Sequence, residues 1–289
     1  MALLRDIDRG VAGLNSNGCV MAVGGAEDKI DRRTLLSKFV ELAGGSDASI
    51  VILPSASTIP LERGELYAAI FRELGAREVT ILQLETRQQA GAARNARVVD
   101  EASGVFVTGG VQLRLISLLG GTSIADSIQR LVQRGGVYCG TSAGAAAVSS
   151  HMIVTGRAGM KVRRSMVDLA PGLGLVPQAI IDQHFSQRGR LGRLIAAVGA
   201  NPQFLGIGID EDTAALFHRD QSMEILGAGQ VVVLDASRVR TTDLHAVART
   251  KPFAMSPLQL HLLTEGSIFD LVSRKLRSRR KRQKSSQIA

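Results

Sequence analysis

Between Tyr138 and Ala147 the chain reads Tyr-Cys-Gly-Thr-Ser-Ala-Gly-Ala-Ala-Ala, which leaves only Gly140 to Gly144 to join a buried strand to a helix. The apolar run ending at Cys139 has the character of a strand, and the alanines from Ala143 have that of a helix. A turn this tight strains the backbone at its apex. Only small residues on either side of Ser142 avoid a clash across the turn while the serine hydroxyl stands clear of the sheet. The helix that follows points free N–H groups and its positive dipole end back at the same spot, where charge developing on a carbonyl oxygen can be held. Such an elbow supports acyl transfer. An ordinary strand-to-helix turn with a capping serine is the alternative that the motif alone leaves open.

The elbow sits in a regular alternation. Apolar runs at Cys19 to Val23, Ser49 to Pro54, Glu78 to Leu84, Gly104 to Thr108 and Gly136 to Cys139 predict strands. Between them, apolar residues at helical spacing predict helices over 33–43, 61–74, 90–99, 113–119 and 124–133. Strands that are apolar throughout, rather than at every second position, belong to a parallel sheet covered on both faces. The fold class is therefore α/β, with a mainly parallel sheet and helices on both faces. Further strands are expected at Gln178 to Gln183 and Phe204 to Ile209, and an antiparallel extension at Ser222 to Ile225, Val231 to Leu234 and Ser267 to Leu271. Residues 160–174, rich in Gly, Arg and polar groups, read as a loop, and residues 1–17 as an ordered lead-in.

A net charge of +9 suggests a polyanion partner until it is located. Eight of the positive charges lie between Arg274 and Lys284, so the remainder of the chain carries only +1. This divides the sequence into a single α/β domain over 1–273 and a basic tail over 274–289 with no apolar face, expected to be disordered. Nucleic acid is an expected partner only through that tail. Aromatics make up 3% and Trp is absent, so a base-stacking platform is not expected. Cys19 and Cys139 both fall in strands and read as buried, reduced thiols. No run is apolar enough to span a membrane and the N-terminus makes a poor secretory signal, so a cytoplasmic location is the expectation.

Several other strand ends carry chemistry. Gly24-Gly25-Ala26-Glu27-Asp28-Lys29 follows the first strand without a Walker or G-x-G-x-x-G pattern, and reads as a loop near the active centre rather than a nucleotide site. Gly109-Gly110 ends another strand, where ligands of open parallel sheets bind, and Gly110 offers a bare backbone N–H. His184 ends the strand that includes Asp182 and Gln183, in the position of a general base, although a structural histidine fits as well. Asp210-Glu211-Asp212 ends the next, as a solvated turn or part of a metal site. No second ligand cluster accompanies it, so neither a metal nor any other cofactor is expected. Ser142, His184 and Glu211 thus supply a nucleophile, a base and an orienting acid. The usual α/β-hydrolase order of Ser, acid, His would require His245 or His261 as base, and neither ends a convincing strand.

Taken together, Gly24 to Lys29, Thr108 to Gln112, Gly140 to Ala145, Asp182 to Phe185 followed by Arg188, Arg190, Arg193 and Leu194, and Gly208 to Ala214 resemble the cyanophycinase family, in that family's order and over roughly residues 18–275. Cyanophycinases and the related aspartyl dipeptidases are serine peptidases on a flavodoxin-like sheet resembling class I glutamine amidotransferases. The resemblance implies an exopeptidase that releases β-aspartyl-arginine dipeptides from cyanophycin, a polyaspartate whose side-chain carboxylates carry arginines. It implies Ser142 as nucleophile, His184 as base, Glu211 as acid, and Gly110 with Ala143 as the oxyanion hole. Gln112, Asp182, Gln183, Arg188, Arg190 and Arg193 fall on the substrate-pocket positions, with Asp182 a candidate to receive the substrate guanidinium. A polymeric or dipeptide β-aspartyl substrate and a homodimer are implied as well. An aspartyl dipeptidase or other acyl hydrolase with the same triad, and an inactive polyanion-binding adaptor, are the competing expectations. The basic tail is not part of the family pattern.

Overall fold

The computed structural model describes residues 18–279, so the lead-in over 1–17 and the tail beyond 279 lie outside the described residues. In chain order the first part comprises β1 (Cys19–Val23), α1 (Thr34–Leu42), β2 (Ser49–Leu53), α2 (Pro60–Glu73), β3 (Glu78–Ile81), α3 (Arg87–Gly91), α4 (Ala93–Glu101), β4 (Gly104–Val107), α5 (Gln112–Leu119), α6 (Ser123–Gln133), β5 (Val137–Thr141) and α7 (Ala143–Ala146). Then come β6 (His151–Gly156), β7 (Val167–Pro171), β8 (Ala179–Gln183), α8 (Leu191–Ala200), β9 (Leu205–Ile209), β10 (Thr213–Phe217), β11 (Ser222–Gly227) and β12 (Val231–Asp235). The last strands are β13 (Thr241–Thr242), β14 (Met255–Ser256), β15 (Gln259–Leu263), β16 (Ser267–Asp270) and β17 (Lys275–Arg279).

Five parallel strands, in the order β1-β5-β4-β2-β3, form one half of a nine-stranded sheet, and β10, β11, β16 and β17 extend it antiparallel beyond β1. Alternate residues of β1 show why its strands are apolar throughout. Cys19, Met21 and Val23 pack with α1 and α2, while Val20 and Ala22 face the core shared with α4 to α7. On the first face Phe39, Tyr67, Phe71 and Phe106 gather with ring centroids 4.5–6.1 Å apart, in edge, tilted and, for Tyr67 with Phe71, stacked arrangements. Cys19 and Cys139 are free and buried, and desolvation pushes the Cys19 thiol up to about 11.

Three expectations are corrected. The strand expected at Val231 to Leu234 does not join those at Ser222 to Ile225 and Ser267 to Leu271 in one antiparallel extension, but lies in a second sheet with the strands expected at Gln178 to Gln183 and Phe204 to Ile209. The latter two pair with each other in parallel, and the four-stranded sheet has the order β15-β12-β9-β8. One face of that sheet packs into the main core through Ile181, Ile207 and Val233, and the other takes Leu194 and Val198 of α8. Residues 160–174 are not all loop, because β7 pairs with β6 in a ribbon that turns Val167 inward and leaves Asp168 exposed. The single helix expected over 90–99 is divided at Ala92, whose extended backbone separates α3 from α4.

The expected break at residue 274 is also corrected. Lys275–Arg279 adds a strand to β16, and Arg274 sends its guanidinium to the buried carboxylate of Asp235 at 2.5 Å and to the Gln203 carbonyl at 2.6 Å. Arg277 reaches Asp220 at 2.9 Å and Asp270 at 2.5 Å. Charges that look solvated in the sequence are thus partnered by acids on the edge they cover. Among the described residues no helix is long and apolar enough to cross a membrane. Replacing Arg274 leaves Asp235 short of its cation, so Arg274→Ala should lose about 1–3 kcal/mol of stability, read as a lower denaturant midpoint. An unchanged midpoint would show that this pair does not anchor the segment.

Candidate active site

Ser142 lies between β5 and α7 with φ 52° and ψ −105°, a backbone conformation that few non-glycine residues adopt. Two contacts fix it there. The Ser142 N–H donates to the Val23 carbonyl at the end of β1 (2.9 Å), and the buried Tyr138 hydroxyl donates to the Gly144 carbonyl (2.8 Å). A Cβ on Gly140 would come within 2.3 Å of the Gly144 carbonyl oxygen, and one on Gly144 within 2.5 Å of the Val107 carbonyl oxygen. The small residues of the elbow are therefore a packing requirement. Gly110, with φ 151°, presses so close to Ala56 that a side chain would meet its carbonyl at 2.0 Å, and this places the β4 loop beside Ser142.

The second sheet supplies the partners. His184, also at positive φ (48°), ends β8, and its N–H donates to the Gly24 carbonyl at 2.8 Å. Its imidazole Nε2 lies 3.0 Å from Ser142 Oγ and its Nδ1 lies 2.6 Å from Glu211 Oε1. Gly25 is the floor beneath the ring, since a Cβ there would fall 2.4 Å from Cε1. The acids beside Glu211 are committed elsewhere. Asp210 accepts from the Ser186 N–H (2.9 Å) and Asp212 from the Asp28 N–H (3.0 Å). Among the described residues no group of three or more His, Cys, Asp or Glu is placed to hold a metal ion. His245 is exposed, and His261 lies within β15 with its ring 5.1 Å from Phe269, so neither ends a strand at the site.

The residues expected to line a substrate pocket divide into two groups. Arg190 and Arg193 are buried, and both bind the buried Asp182, Arg190 at 3.2 Å and Arg193 through Nε at 2.6 Å with a second, shorter contact from Nη2. That carboxylate is already held by two cations of its own chain, which leaves it no vacancy for a third guanidinium. Arg190 also donates to the side chain of Gln183 (3.0 Å) and to its carbonyl, and Gln183 Oε1 lies 3.5 Å from Ser142 Oγ. Burial pulls the Arg190 guanidinium down to about 10, against the pull of Asp182. The Gln112 amide donates to the Ile153 carbonyl (2.9 Å), tying α5 to β6. Arg188 alone of the three arginines is exposed.

Sequence reasoning missed a buried network on the other side of Ser142. Glu27 accepts hydrogen bonds from Tyr67 and from Thr141 Oγ1 (2.6 Å), and pairs with Lys29 at 3.0 Å. Thr141 immediately precedes Ser142, so this carboxylate braces the elbow from below. The motif from Gly24 to Lys29 carried the clue, but the α2 partner lies 40 residues away.

A strained serine reached by an imidazole, itself held by a carboxylate, on the edge of an α/β sheet defines a serine-type hydrolase. The family then follows from comparison with known proteins. The sequence model for peptidase family S51 matches residues 19–226, and the chain belongs to that family. It is 45% identical over 256 residues to a cyanophycinase of Trichormus variabilis, covering 88% of this chain and 86% of that one. A cyanophycinase of Geminocystis herdmanii is 42% identical over 252 residues, covering 87% and 93%. Among solved structures, a peptidase from an acI-B1 Actinobacterium shares the fold with a TM-score of 0.64 at 21% identity, over 88% of this chain and 97% of that one. A putative peptidase E protein from Listeria monocytogenes does so with a TM-score of 0.51 at 17% identity, over 74% and 100%.

Two predictions follow from the geometry. Burial holds the His184 imidazole below its ordinary 6.5, Glu211 opposes this, and Arg188 and Arg190 reinforce it. The imidazole is then neutral at pH 7, and with His184 as the proposed base the acid limb of kcat/KM should fall below about pH 6.5. Arg188→Ala removes a like charge, so it should move that limb upward, and a limb that stays in place would break the link to His184. Arg193→Ala leaves the Asp182 carboxylate buried with one cation fewer, and should lower stability by about 3–5 kcal/mol. A fully stable Arg193→Ala protein with only a raised KM would instead favour direct substrate contact.

Proposed function

We propose that the chain is a serine-type exopeptidase that hydrolyses cyanophycin to β-aspartyl-arginine through an acyl-enzyme on Ser142. What carries this reading is the 42–45% identity to cyanophycinases over 87–88% of the chain, combined with the unbroken line of hydrogen bonds from Glu211 through His184 to Ser142. In the reaction His184 Nε2 takes the Ser142 hydroxyl proton as Oγ adds to a backbone carbonyl of the polyaspartate. The amides of Gly110 and Ala143 receive the resulting oxyanion, and Glu211 steadies the imidazolium without taking its proton. The imidazolium then gives its proton to the departing amine as the C–N bond breaks. Water, deprotonated by the same nitrogen, hydrolyses the ester and returns the proton to Ser142.

Arg188, Gln183 and Gln112 remain candidates for the substrate's polar groups, while Arg190, Arg193 and Asp182 act from behind them by fixing Gln183 and the β8 end. One catalytic unit, a homodimer and a cytoplasmic site of action complete the proposal. They rest on the family resemblance and the composition, and sedimentation and cell fractionation would test the last two. The decisive assay is product analysis. Purified protein should release β-aspartyl-arginine from cyanophycin, and Ser142→Ala should reduce that release about a million-fold. Cyanophycin left intact beside cleaved amino-terminal aspartyl dipeptides would transfer the chain to the aspartyl dipeptidase activity.

A further inference from the structure

A cavity of about 400 Å³ opens beside Ser142, bounded by the ends of β1, β2, β4 and β5 and by α2. Ser142 and Gly110 form part of its wall, and Lys29, Arg63, Tyr67 and Ser57 supply its polar groups. Gln183, His184 and the arginines of the α8 segment do not line it, so it is a different side of the nucleophile from the base. Its size is that of a site for a small ligand or for one branch of a larger one.

The charges in this cavity are unequal. Glu27 at its floor is buried and matched by Lys29, whose ammonium lies 3.0 Å from the carboxylate and 5.6 Å from the centre of the Tyr67 ring. Arg63 has no such match, since its guanidinium forms no ion pair among the described residues, although its charge is felt at the Tyr67 hydroxyl. Ser57 Oγ accepts the Ile59 N–H (3.1 Å), which leaves its own proton to donate. The cavity therefore offers one surplus positive charge and a hydroxyl donor beside the acyl-transfer centre, a set that suits a carboxylate and repels a guanidinium.

We propose that this cavity is the subsite for the free carboxylate of the substrate's arginyl branch, with Arg63 as its anchoring cation. The proposal rests on the reading of the chain as a cyanophycin hydrolase. In that polymer each arginine is attached through its amino group, so its carboxylate is free and lies a few bonds from a backbone carbonyl. Arg190 and Arg193 are occupied by Asp182, and Arg188 lies by His184 outside this cavity, so a carboxylate on the oxyanion side needs another cation. Arg63 meets the need on the oxyanion side and keeps the branch's guanidinium directed outward. Branch recognition is thereby separated from the buried cluster that supports the base.

The test uses binding, so that it does not depend on turnover. Ser142→Ala protein is titrated calorimetrically with β-aspartyl-arginine and with β-aspartyl-argininamide, which differ only in the branch carboxylate. The acid should bind about 10- to 100-fold more tightly than the amide, as expected for one charge-assisted contact. Adding Arg63→Ala should bring the two ligands within about two-fold, and adding Arg63→Lys should keep part of the preference. Equal binding of acid and amide, no binding of the acid, or a preference that Arg63→Ala leaves unchanged would overturn the subsite. A protein that leaves cyanophycin intact yet prefers the acid through Arg63 contradicts the assigned activity and keeps the subsite. One that cleaves cyanophycin and binds both ligands alike does the reverse.

Discussion

The 3.0 Å contact between Ser142 Oγ and His184 Nε2 joins two sheets that share no strand. Its length is set by backbone, because the Gly24 carbonyl receives the His184 N–H while the Val23 carbonyl, one residue earlier, receives that of Ser142. The end of β1 is thus a common gauge for Ser142 and His184. Gly25 completes it, since any side chain at that position would enter the space of the imidazole ring. Positive φ at both Ser142 and His184 is strain that the surrounding packing must hold, and such strain collects where pre-organisation is needed.

Behind the base, Asp182, Arg190 and Arg193 form a buried charged cluster, which is an unusual choice for a core because desolvating three charges is costly. Its benefit lies in geometry. The same Arg190 that neutralises Asp182 also grips Gln183, whose side-chain oxygen looks toward the nucleophile. Glu27 does similar work on the opposite flank by holding Thr141 and Lys29. Two buried carboxylates, each saturated by partners from its own chain, brace the residues on either side of Ser142.

Much of this site was legible in the sequence for a local reason. Ser142 and His184 directly follow a buried strand and Glu211 lies two residues beyond one, and the carboxyl ends of those strands converge. The sheet to which β8 and β9 belong was not legible, because a fully apolar strand has the same composition whichever neighbour it pairs with. Nor was the burial of Arg190 and Arg193. Charge in a sequence implies solvent unless its partner is known, although a three-residue spacing near Asp182 does place both arginines on one side of a helix start. Arg63 escaped notice for a different reason, since it is an exposed cation on α2 and only the folded cavity shows which strand ends it faces. The basic tail misled most, because Arg274 and Arg277 find Asp235, Asp220 and Asp270 only after folding brings the end of β12 in the second sheet, the β10–β11 turn and the end of β16 beside the start of β17.

The proposed chemistry has a serine on one sheet activated by an imidazole on another, oriented by Glu211. The rate at which a fluorophosphonate labels the protein, with the adduct located by peptide mass spectrometry, tests it directly. A single adduct on Ser142 that forms roughly 10⁴-fold more slowly in Glu211→Gln is the result this geometry predicts. An adduct on another residue, or equal labelling of the wild-type and Glu211→Gln proteins, would contradict it.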